Sequence, residues 1–232
     1  MLFDALGTLV ELEDPFTAVR RELADRGAPV SAQDARRALE AEMAYYRANH
    51  TGAVDASSLE RLRDRCAQVL RDNLPSPARD LPLTELRAAL MSGLRFRAFT
   101  DAGPTLDALR EAGHRIAIVS NWDVSLHGVL EATGLAPRVD VVVTSAQEGV
   151  AKPDPQIFRV ALQRLGGLSA SDAVHVGDDV ESDVGGALAA GISAVLVDRS
   201  AATPPAVARG VRVVRSLSEL VTGSASAAEA LS

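Results

Sequence analysis

Four short segments of this sequence carry side chains that could bind and transfer a phosphoryl group: Asp4 to Thr8, Ser120 with Asn121, Lys152, and Gly177-Asp178-Asp179 with Asp183. Carboxylates are the hard oxygen ligands that Mg²⁺ prefers, and Asp4 and Asp178 could both supply them. An aspartate beside a metal can also act as a nucleophile. Ser120, Asn121 and Lys152 could then bind the phosphoryl oxygens and offset developing negative charge. The set predicts Mg²⁺-assisted chemistry on a small phosphorylated molecule.

Lys152 is the only lysine among the 24 lysine and arginine residues. A chain this rich in arginine should keep a lysine mainly where a planar guanidinium cannot replace a compact, mobile ammonium. Pro153 restricts the backbone before it, and Asp154 can cap a helix that has Pro155 at its first position. This rigid framing favours a functional lysine over an ordinary surface one.

The elements that must position these residues follow a strand and helix alternation. Short aliphatic runs predict buried parallel strands at residues 2–6, 115–120, 140–144, 173–176, 193–197 and 211–214. Helical patterns lie between most of them, at residues 105–111, 126–132, 155–165 and 182–190. The predicted fold class is therefore α/β, with a doubly wound parallel sheet. Because ligands of such sheets bind beyond the carboxyl ends of the strands, the four segments could meet in one crevice.

A helical insertion interrupts this alternation. Residues 16–26, 32–48, 58–74 and 84–94 have helical patterns without an intervening strand signal, and Ser31 and Ser57 look like helix caps. We therefore expect a catalytic core formed by residues 1–13 and 98–222, an all-helical cap at 14–97, and a flexible tail at 223–232, which is rich in Ala and Ser.

Composition narrows the class of protein. The net charge of −7 offers no basic face for nucleic acid, and no apolar run approaches the roughly 20 residues that span a bilayer. A single cysteine, Cys66, excludes an internal disulfide framework and fits the reducing cytoplasm. We expect a soluble cytoplasmic protein, either monomer or homodimer. Only three residues precede Asp4, which leaves open a start a few residues upstream.

The four segments, in this order and spacing, resemble the signature motifs of the haloacid dehalogenase superfamily. The first motif is Phe3-Asp4-Ala5-Leu6-Gly7-Thr8-Leu9, the second Ile118-Val119-Ser120-Asn121, the third Lys152-Pro153-Asp154-Pro155, and the fourth Gly177-Asp178-Asp179 with Asp183. The resemblance covers almost the whole chain and implies a Rossmann-like core whose helical cap closes over the substrate.

The resemblance also implies a role for each matched residue. Asp4 would be the nucleophile and a ligand of Mg²⁺, together with the backbone carbonyl of Leu6 and Asp178. Asp183 would hold metal-bound water, and Thr8 would brace the loop of the first motif. Ser120 would bind the transferred group, and Lys152 would neutralise charge between that group and Asp4.

Leu6 departs from the family's phosphatase pattern. Phosphatases that resemble this chain usually have a second aspartate there, which protonates the leaving alkoxide and then activates water. General acid–base help is worth about 10²–10⁴-fold, so we expect weak activity on alkyl phosphates. Glu11, Glu13 and Asp123 lie nearby in the sequence, and we expect them to be solvated carboxylates.

Three functions remain open from the sequence. The first is a Mg²⁺-dependent phosphohydrolase for substrates with good leaving groups, which Asp178 favours. The second is a 2-haloacid dehalogenase in which Asp4 attacks carbon, which Leu6 permits. The third is a weakly active binding protein with the family fold. His175 lies in an aliphatic strand and is interpreted as a satisfied core histidine.

Overall fold

The computed structural model describes residues 1–200 and 206–221. The predicted flexible tail at 223–232 lies outside these residues. Contact density divides the chain into two compact units, one formed by Met1–Glu11 and Ala98–Ser232 and the other by Leu12–Arg97. Within the described residues, we find no helix that is both long and apolar enough to cross a membrane.

A parallel sheet of six strands forms the centre of the first unit. Its strands lie in the order β5-β4-β1-β6-β7-β8, so the first strand of the chain is central. The strands of the whole chain are β1 (Leu2–Phe3), β2 (Val10–Leu12), β3 (Phe96–Ala98), β4 (Ala117–Ser120), β5 (Val141–Thr144), β6 (Val174–Gly177), β7 (Ser193–Val197) and β8 (Arg212–Val214). The predicted doubly wound α/β class is confirmed.

Helices connect successive strands of the sheet. They are α5 (Ala102–Glu111), α6 (Leu126–Ala132), α7 (Ser145–Glu148), α8 (Pro155–Arg164) and α9 (Gly186–Ala189). The predicted helix at 182–190 is wrong in type over its first part, because Val180–Gly185 forms a π-helical segment that leads into α9. Leu2, Val119, Phe158 and Leu196 are fully or almost fully buried in the core beside the sheet. This packing fixes the strand ends that carry the polar residues.

The second unit is helical and has its own core. Its helices are α1 (Pro15–Asp25), α2 (Ala32–Asn49), α3 (Ala56–Asn73) and α4 (Leu83–Gly93). Leu23, Leu39, Leu70 and Leu86 meet in its interior with no exposed surface. Short 3₁₀ turns occur in this unit at His50–Gly52 and Ala78–Asp80, and in the first unit at Ala136–Arg138 and Ala170–Asp172.

The caps of two of these helices differ in how well the sequence predicts them. Ser31 caps α2, since its hydroxyl accepts a hydrogen bond from the backbone N–H of Asp34 at 3.1 Å. The expectation that Ser57 caps α3 is wrong. Asp55 is the cap, because its carboxylate accepts from the Ser58 N–H at 2.7 Å while the Ser58 hydroxyl binds the Asp55 N–H at 3.0 Å.

The prediction of no strand between residues 14 and 97 also needs correction. β2 and β3 form a separate two-stranded sheet, and β3 begins at Phe96. Each strand has only three residues, which is too short to show an alternating pattern.

Candidate active site

The carboxyl ends of three neighbouring strands bring the predicted polar residues together. Asp4 follows β1, Ser120 ends β4, and Asp178 follows β6. Because β1 lies between β4 and β6 in a parallel sheet, these ends meet at one edge. The Asp4 N–H donates to the Val176 carbonyl at 2.9 Å, and the Ser120 hydroxyl donates to Oδ1 of Asp4 at 3.0 Å. The site is therefore built directly on the strand register.

Lys152 places its ammonium between two carboxylates. Nζ lies 2.5 Å from Oδ1 of Asp4 and 2.6 Å from Oδ1 of Asp183, and only 2% of the lysine side chain is exposed. Burial by itself would lower the pKa of Lys152, but the charges of Asp4 and Asp183 outweigh it and raise the pKa. The lysine is thus a buried cation that two carboxylates stabilise in its charged form.

Asn121 and Asp154 fix the backbone around Lys152. Oδ1 of Asn121 accepts from the Lys152 N–H at 2.7 Å, and Nδ2 donates to the Lys152 carbonyl at 2.9 Å. Asp154 caps α8 by accepting from the Gln156 N–H at 2.8 Å. Asn121 thus uses its amide oxygen and one amide N–H to bind the Lys152 backbone. The predicted contact of Asn121 with a phosphoryl oxygen would have to use the second N–H of the amide.

Three carboxylates cluster beside Lys152. Oxygen atoms of Asp4, Asp178 and Asp183 all lie within 4.8 Å of one another. Asp178 is the exposed member of the cluster, yet partial desolvation, followed by the charges of Asp4 and Asp183, raises its pKa to about 7. Burial also raises the pKa of Asp4, against the opposing effect of Lys152. One ammonium leaves this cluster with excess negative charge, so the donor set fits a hard divalent cation.

Gly7 gives Asp178 room in this cluster. Its φ of +84° lies in the region that favours glycine. A Cβ there would fall 2.1 Å from Oδ2 of Asp178. The glycine that follows Leu6 is therefore required both by its backbone conformation and by the aspartate that lies against it.

Asp183 contacts more of the site than sequence reasoning expected. Its Oδ1 accepts from Lys152 and also from Nε2 of His175, at 2.9 Å, while its Oδ2 accepts from the Asp179 N–H at 3.1 Å. Burial opposes ionisation, but Lys152 and His175 together hold the pKa of Asp183 well below its usual range. The predicted holding of metal-bound water would use a carboxylate that is already anchored by the protein.

His175 differs from the interpretation made from its sequence. It is a core residue, 1% exposed, but its partner is the site carboxylate Asp183. Its Nδ1 has no hydrogen-bond partner within the described residues. The histidine is therefore part of the site and is not fully satisfied.

The bracing of the first-motif loop comes from Arg199, which sequence reasoning missed. Its guanidinium donates to the Thr8 carbonyl at 2.8 Å, binds both carboxylate oxygens of Asp101 at 3.0 Å, and lies 3.7 Å from the centre of the Phe99 ring. The buried Thr8 hydroxyl, predicted to brace the loop, has no hydrogen-bond partner within the described residues. An arginine two residues beyond β7, at the same sheet edge, was the available signal.

Leu6 and the nearby carboxylates give a mixed outcome. Leu6 is one of four large apolar residues that are exposed within the described part of the chain, with 44% of its surface accessible. The expectation of solvated carboxylates is wrong for Asp123, which is 2% exposed and accepts from the Ser125 N–H at 2.6 Å. Glu11 is partly buried and Glu13 is exposed. Coordination by the Leu6 carbonyl stays a prediction.

Sequence comparison agrees with the resemblance of the four motifs to the haloacid dehalogenase superfamily. Residues 1–191 match the haloacid dehalogenase-like hydrolase family. The chain is 45% identical over 101 residues to a ribulose-1,5-bisphosphate 5-phosphatase of Halopiger xanaduensis. These 101 residues are 43% of this chain and 42% of that protein. It is 34% identical over 162 residues to the phosphatase MT3486 of Mycobacterium tuberculosis, covering 67% of this chain and 72% of that protein. The matched stretch thus spans less than half of the first relative and more than two thirds of the second.

Structural comparison extends the likeness over almost the whole chain. A crystal structure described as a dehalogenase with an intermediate complex is 27% identical, with a TM-score of 0.66, and the match covers 94% of this chain and 93% of that one. The match to the family over residues 1–191 takes in all the motif residues of the site, from Asp4 to Asp183. The chain belongs to the haloacid dehalogenase-like hydrolase family.

Proposed function

We propose that this hydrolase is a Mg²⁺-dependent phosphohydrolase that forms an aspartyl-phosphate on Asp4. The observation that carries the proposal is the buried Lys152 ammonium, 2.5 Å from Asp4, next to a cluster of three carboxylates. A nucleophile held against a fixed cation suits attack on an anionic phosphoryl group, since the cation offsets the charge that both bring.

Asp4, Asp178 and the backbone carbonyl of Leu6 would hold the metal ion, with Asp183 acting through metal-bound water. The excess negative charge of the three carboxylates supports this assignment. When bound, Mg²⁺ would supply positive charge to the phosphoryl oxygens. Asp178 separates this proposal from carbon-attacking chemistry, which does not require an additional carboxylate of this kind.

The chain's own residues account for the transfer. An oxygen of the Asp4 carboxylate forms a bond to phosphorus, and the bond from phosphorus to the leaving oxygen breaks with its electron pair on that oxygen. Ser120 and Lys152, both hydrogen-bonded to Asp4 here, would hold the phosphoryl oxygens in line. Water then attacks the phosphorus, the bond from phosphorus to Asp4 breaks with its electron pair on the carboxylate, and the phosphate that leaves carries the protons of the water.

The identity of residue 6 selects the leaving group. Leucine has no proton to give, and its side chain is exposed beside the nucleophile loop. A leaving group of low pKa departs without protonation, whereas an alkoxide needs a general acid. We therefore propose small acyl or aryl phosphates as substrates. The single cysteine, Cys66, fits a reducing compartment, and we propose that the protein acts in the cytoplasm.

A paired assay tests this function. Acetyl phosphate, p-nitrophenyl phosphate, glycerol phosphate and 2-chloropropionate are each offered with Mg²⁺ and with EDTA, to the native protein and to Asp4→Asn. Mg²⁺-dependent phosphate release from the first two, absent in Asp4→Asn, is expected. Chloride release in EDTA would overturn the proposal.

A 2-haloacid dehalogenase is the second candidate. Leu6 favours it, because displacement of halide from carbon needs no acid at that position, and the likeness to a solved dehalogenase points the same way. The Asp178 carboxylate within the cluster favours phosphoryl transfer instead. The chloride measurement in the same assay decides between the two. Ligand-induced thermal stabilisation without turnover of any substrate would indicate the third candidate, a binding protein.

A further inference from the structure

His175 is linked to the proposed nucleophile, Asp4, through three hydrogen bonds, the last of which runs from Lys152 to Asp4. Its Nε2 lies 2.9 Å from Oδ1 of Asp183, and the same oxygen lies 2.6 Å from Nζ of Lys152. We propose that His175 is a positioning residue, which fixes the Asp183 carboxylate and through it the Lys152 ammonium against Asp4. The inference rests on the proposed function, because it concerns how Asp4 and Lys152 are aligned.

The geometry of β6 explains why a histidine can take this role. His175 and Gly177 are two residues apart in one strand, so they face the same side of the sheet. A Cβ on Gly177 would fall 2.2 Å from Cγ of Asp183. The Asp183 carboxyl group therefore lies across Gly177, where a side chain one pleat earlier can reach it.

The strand also makes His175 a rigid donor. β6 pairs with β1 on one side and with β7 on the other, with His175 opposite Leu2 and Ala194. The imidazole stands nearly perpendicular to the Phe158 ring, with 4.9 Å between the ring centres. Backbone and ring are thus both held, and the donor cannot follow Asp183 if that carboxylate moves.

The protonation of the ring follows from its partner. An ionised carboxylate only accepts hydrogen bonds, so Nε2 of His175 carries the proton and donates it. Nδ1 is buried without a hydrogen-bond partner in the described part of the chain, which destabilises the fold. Core packing alone would favour an apolar side chain here, so the hydrogen bond to Asp183 is the gain that explains a histidine.

Two variants separate positioning from packing. His175→Leu introduces an apolar side chain of similar bulk and removes the donor, and we expect kcat to fall about 10–100-fold with KM changed less than about twofold. His175→Gln places an amide N–H where Nε2 lies, and we expect kcat within about fivefold of the native value. A His175→Leu variant with native kcat, or a folded His175→Gln variant that fails to restore it, would overturn the proposal.

The single lysine supplies a readout that needs neither turnover nor metal. Protein labelled with ¹⁵N and ¹³C in lysine only, and carrying no lysine in any tag, gives one side-chain NMR signal, that of Lys152. In metal-free native protein and in His175→Gln we expect an ordered ammonium in slow exchange with water. His175→Leu should lose this order, and an unchanged signal would contradict positioning even if the proposed function were wrong.

The native protein gives a third test, which stands even if His175→Leu does not fold. Nitrogen chemical shifts of its histidine rings, with His175 assigned from the resonance lost in His175→Gln, should show that Nε2 of His175 carries a proton. A ring protonated only on Nδ1 cannot donate to Asp183 and would overturn the inference.

Discussion

The Lys152 ammonium lies 2.5 Å from Oδ1 of Asp4, with 2% of the lysine side chain and 9% of the aspartate side chain exposed. A charge pair buried to this degree is costly to break, because removal of one partner leaves the other charge desolvated. Here the lysine also faces Asp183, so its loss would leave two adjacent carboxylates without a cation. The stability of the protein and the proposed reaction therefore depend on the same side chain.

Replacement of Lys152 should show this double dependence. Lys152→Met is expected to destabilise the protein by about 3–5 kcal/mol in urea unfolding, because Asp4 and Asp183 lose their common cation. Lys152→Arg keeps the charge, but a planar guanidinium cannot occupy the buried position of a compact ammonium, so kcat should fall at least about 100-fold. The reverse exchange at an exposed position, Arg159→Lys, is the control and should leave stability and kcat unchanged. Native turnover by Lys152→Arg would contradict the role of the ammonium.

The fold and the convergence of the site could be predicted because both depend on local patterns. Aliphatic runs mark the strands, and parallel strands bring their carboxyl ends, with Asp4 and Ser120, to one edge. The role of Arg199 was missed because its partners, Thr8 and Asp101, lie far away in the sequence. The role of His175 was missed because it depends on Asp183 in the next element. Neither arginine nor histidine follows a local spacing rule that would have revealed these contacts. The burial of Asp123 likewise follows from how the loop before α6 folds, which hydropathy does not encode.

Metal binding should weaken below neutral pH. Asp178 has a pKa raised to about 7 in the protein without metal, so its carboxyl group holds a proton at lower pH and an incoming cation must displace that proton. The apparent affinity for Mg²⁺ should therefore rise about tenfold per pH unit up to about pH 7 and then level off. Thermal shifts at one fixed Mg²⁺ concentration, taken between pH 5.5 and 8.5, measure this dependence.

Asp178→Asn is the matched control for the pH experiment. The amide is similar in size but does not titrate, so both the Mg²⁺-induced thermal shift and its pH dependence should be lost. A pH-independent Mg²⁺ effect in the native protein would contradict the assignment of Asp178 as a ligand.

Leu6→Asp should gain activity on alkyl phosphates. Leu6 is 44% exposed, so a carboxyl group can be introduced there without burial of a charge. A positioned general acid is worth about 10²–10⁴-fold, and we expect an increase of at least about tenfold in glycerol phosphate hydrolysis, with little change for acetyl phosphate. The asparagine of Leu6→Asn is similar in shape to the aspartate of Leu6→Asp but has no acidic proton, so this variant should show no gain. Equal gains in both variants would mean that the bulk of leucine, not its lack of a proton, limits the reaction.

Arg199→Lys should destabilise the first-motif loop. An ammonium cannot bind both Asp101 oxygens, donate to the Thr8 carbonyl and stack on Phe99 at once, as the guanidinium does. We expect a loss of about 1–3 kcal/mol in the free energy of unfolding, measured in urea. Arg159→Lys again serves as the control for the exchange itself. Equal stability of the two variants would show that the contacts of Arg199 contribute little.

Gly177→Ala should disrupt the site through one methyl group. The added Cβ would fall 2.2 Å from Cγ of Asp183, so that carboxylate must move away from Lys152 and His175 or the strand must shift. Overpacking of this kind costs about 1–3 kcal/mol, and kcat should fall at least about tenfold because the ammonium loses its second anchor. Gly128→Ala is the matched control, since a Cβ there meets nothing within 4 Å, and within α6 it should stabilise the protein by about 0.5–1 kcal/mol. Urea unfolding and kcat measured on both variants separate the general effect of a glycine replacement from the displacement of Asp183, and native values for Gly177→Ala would show that the position of Asp183 does not limit the reaction.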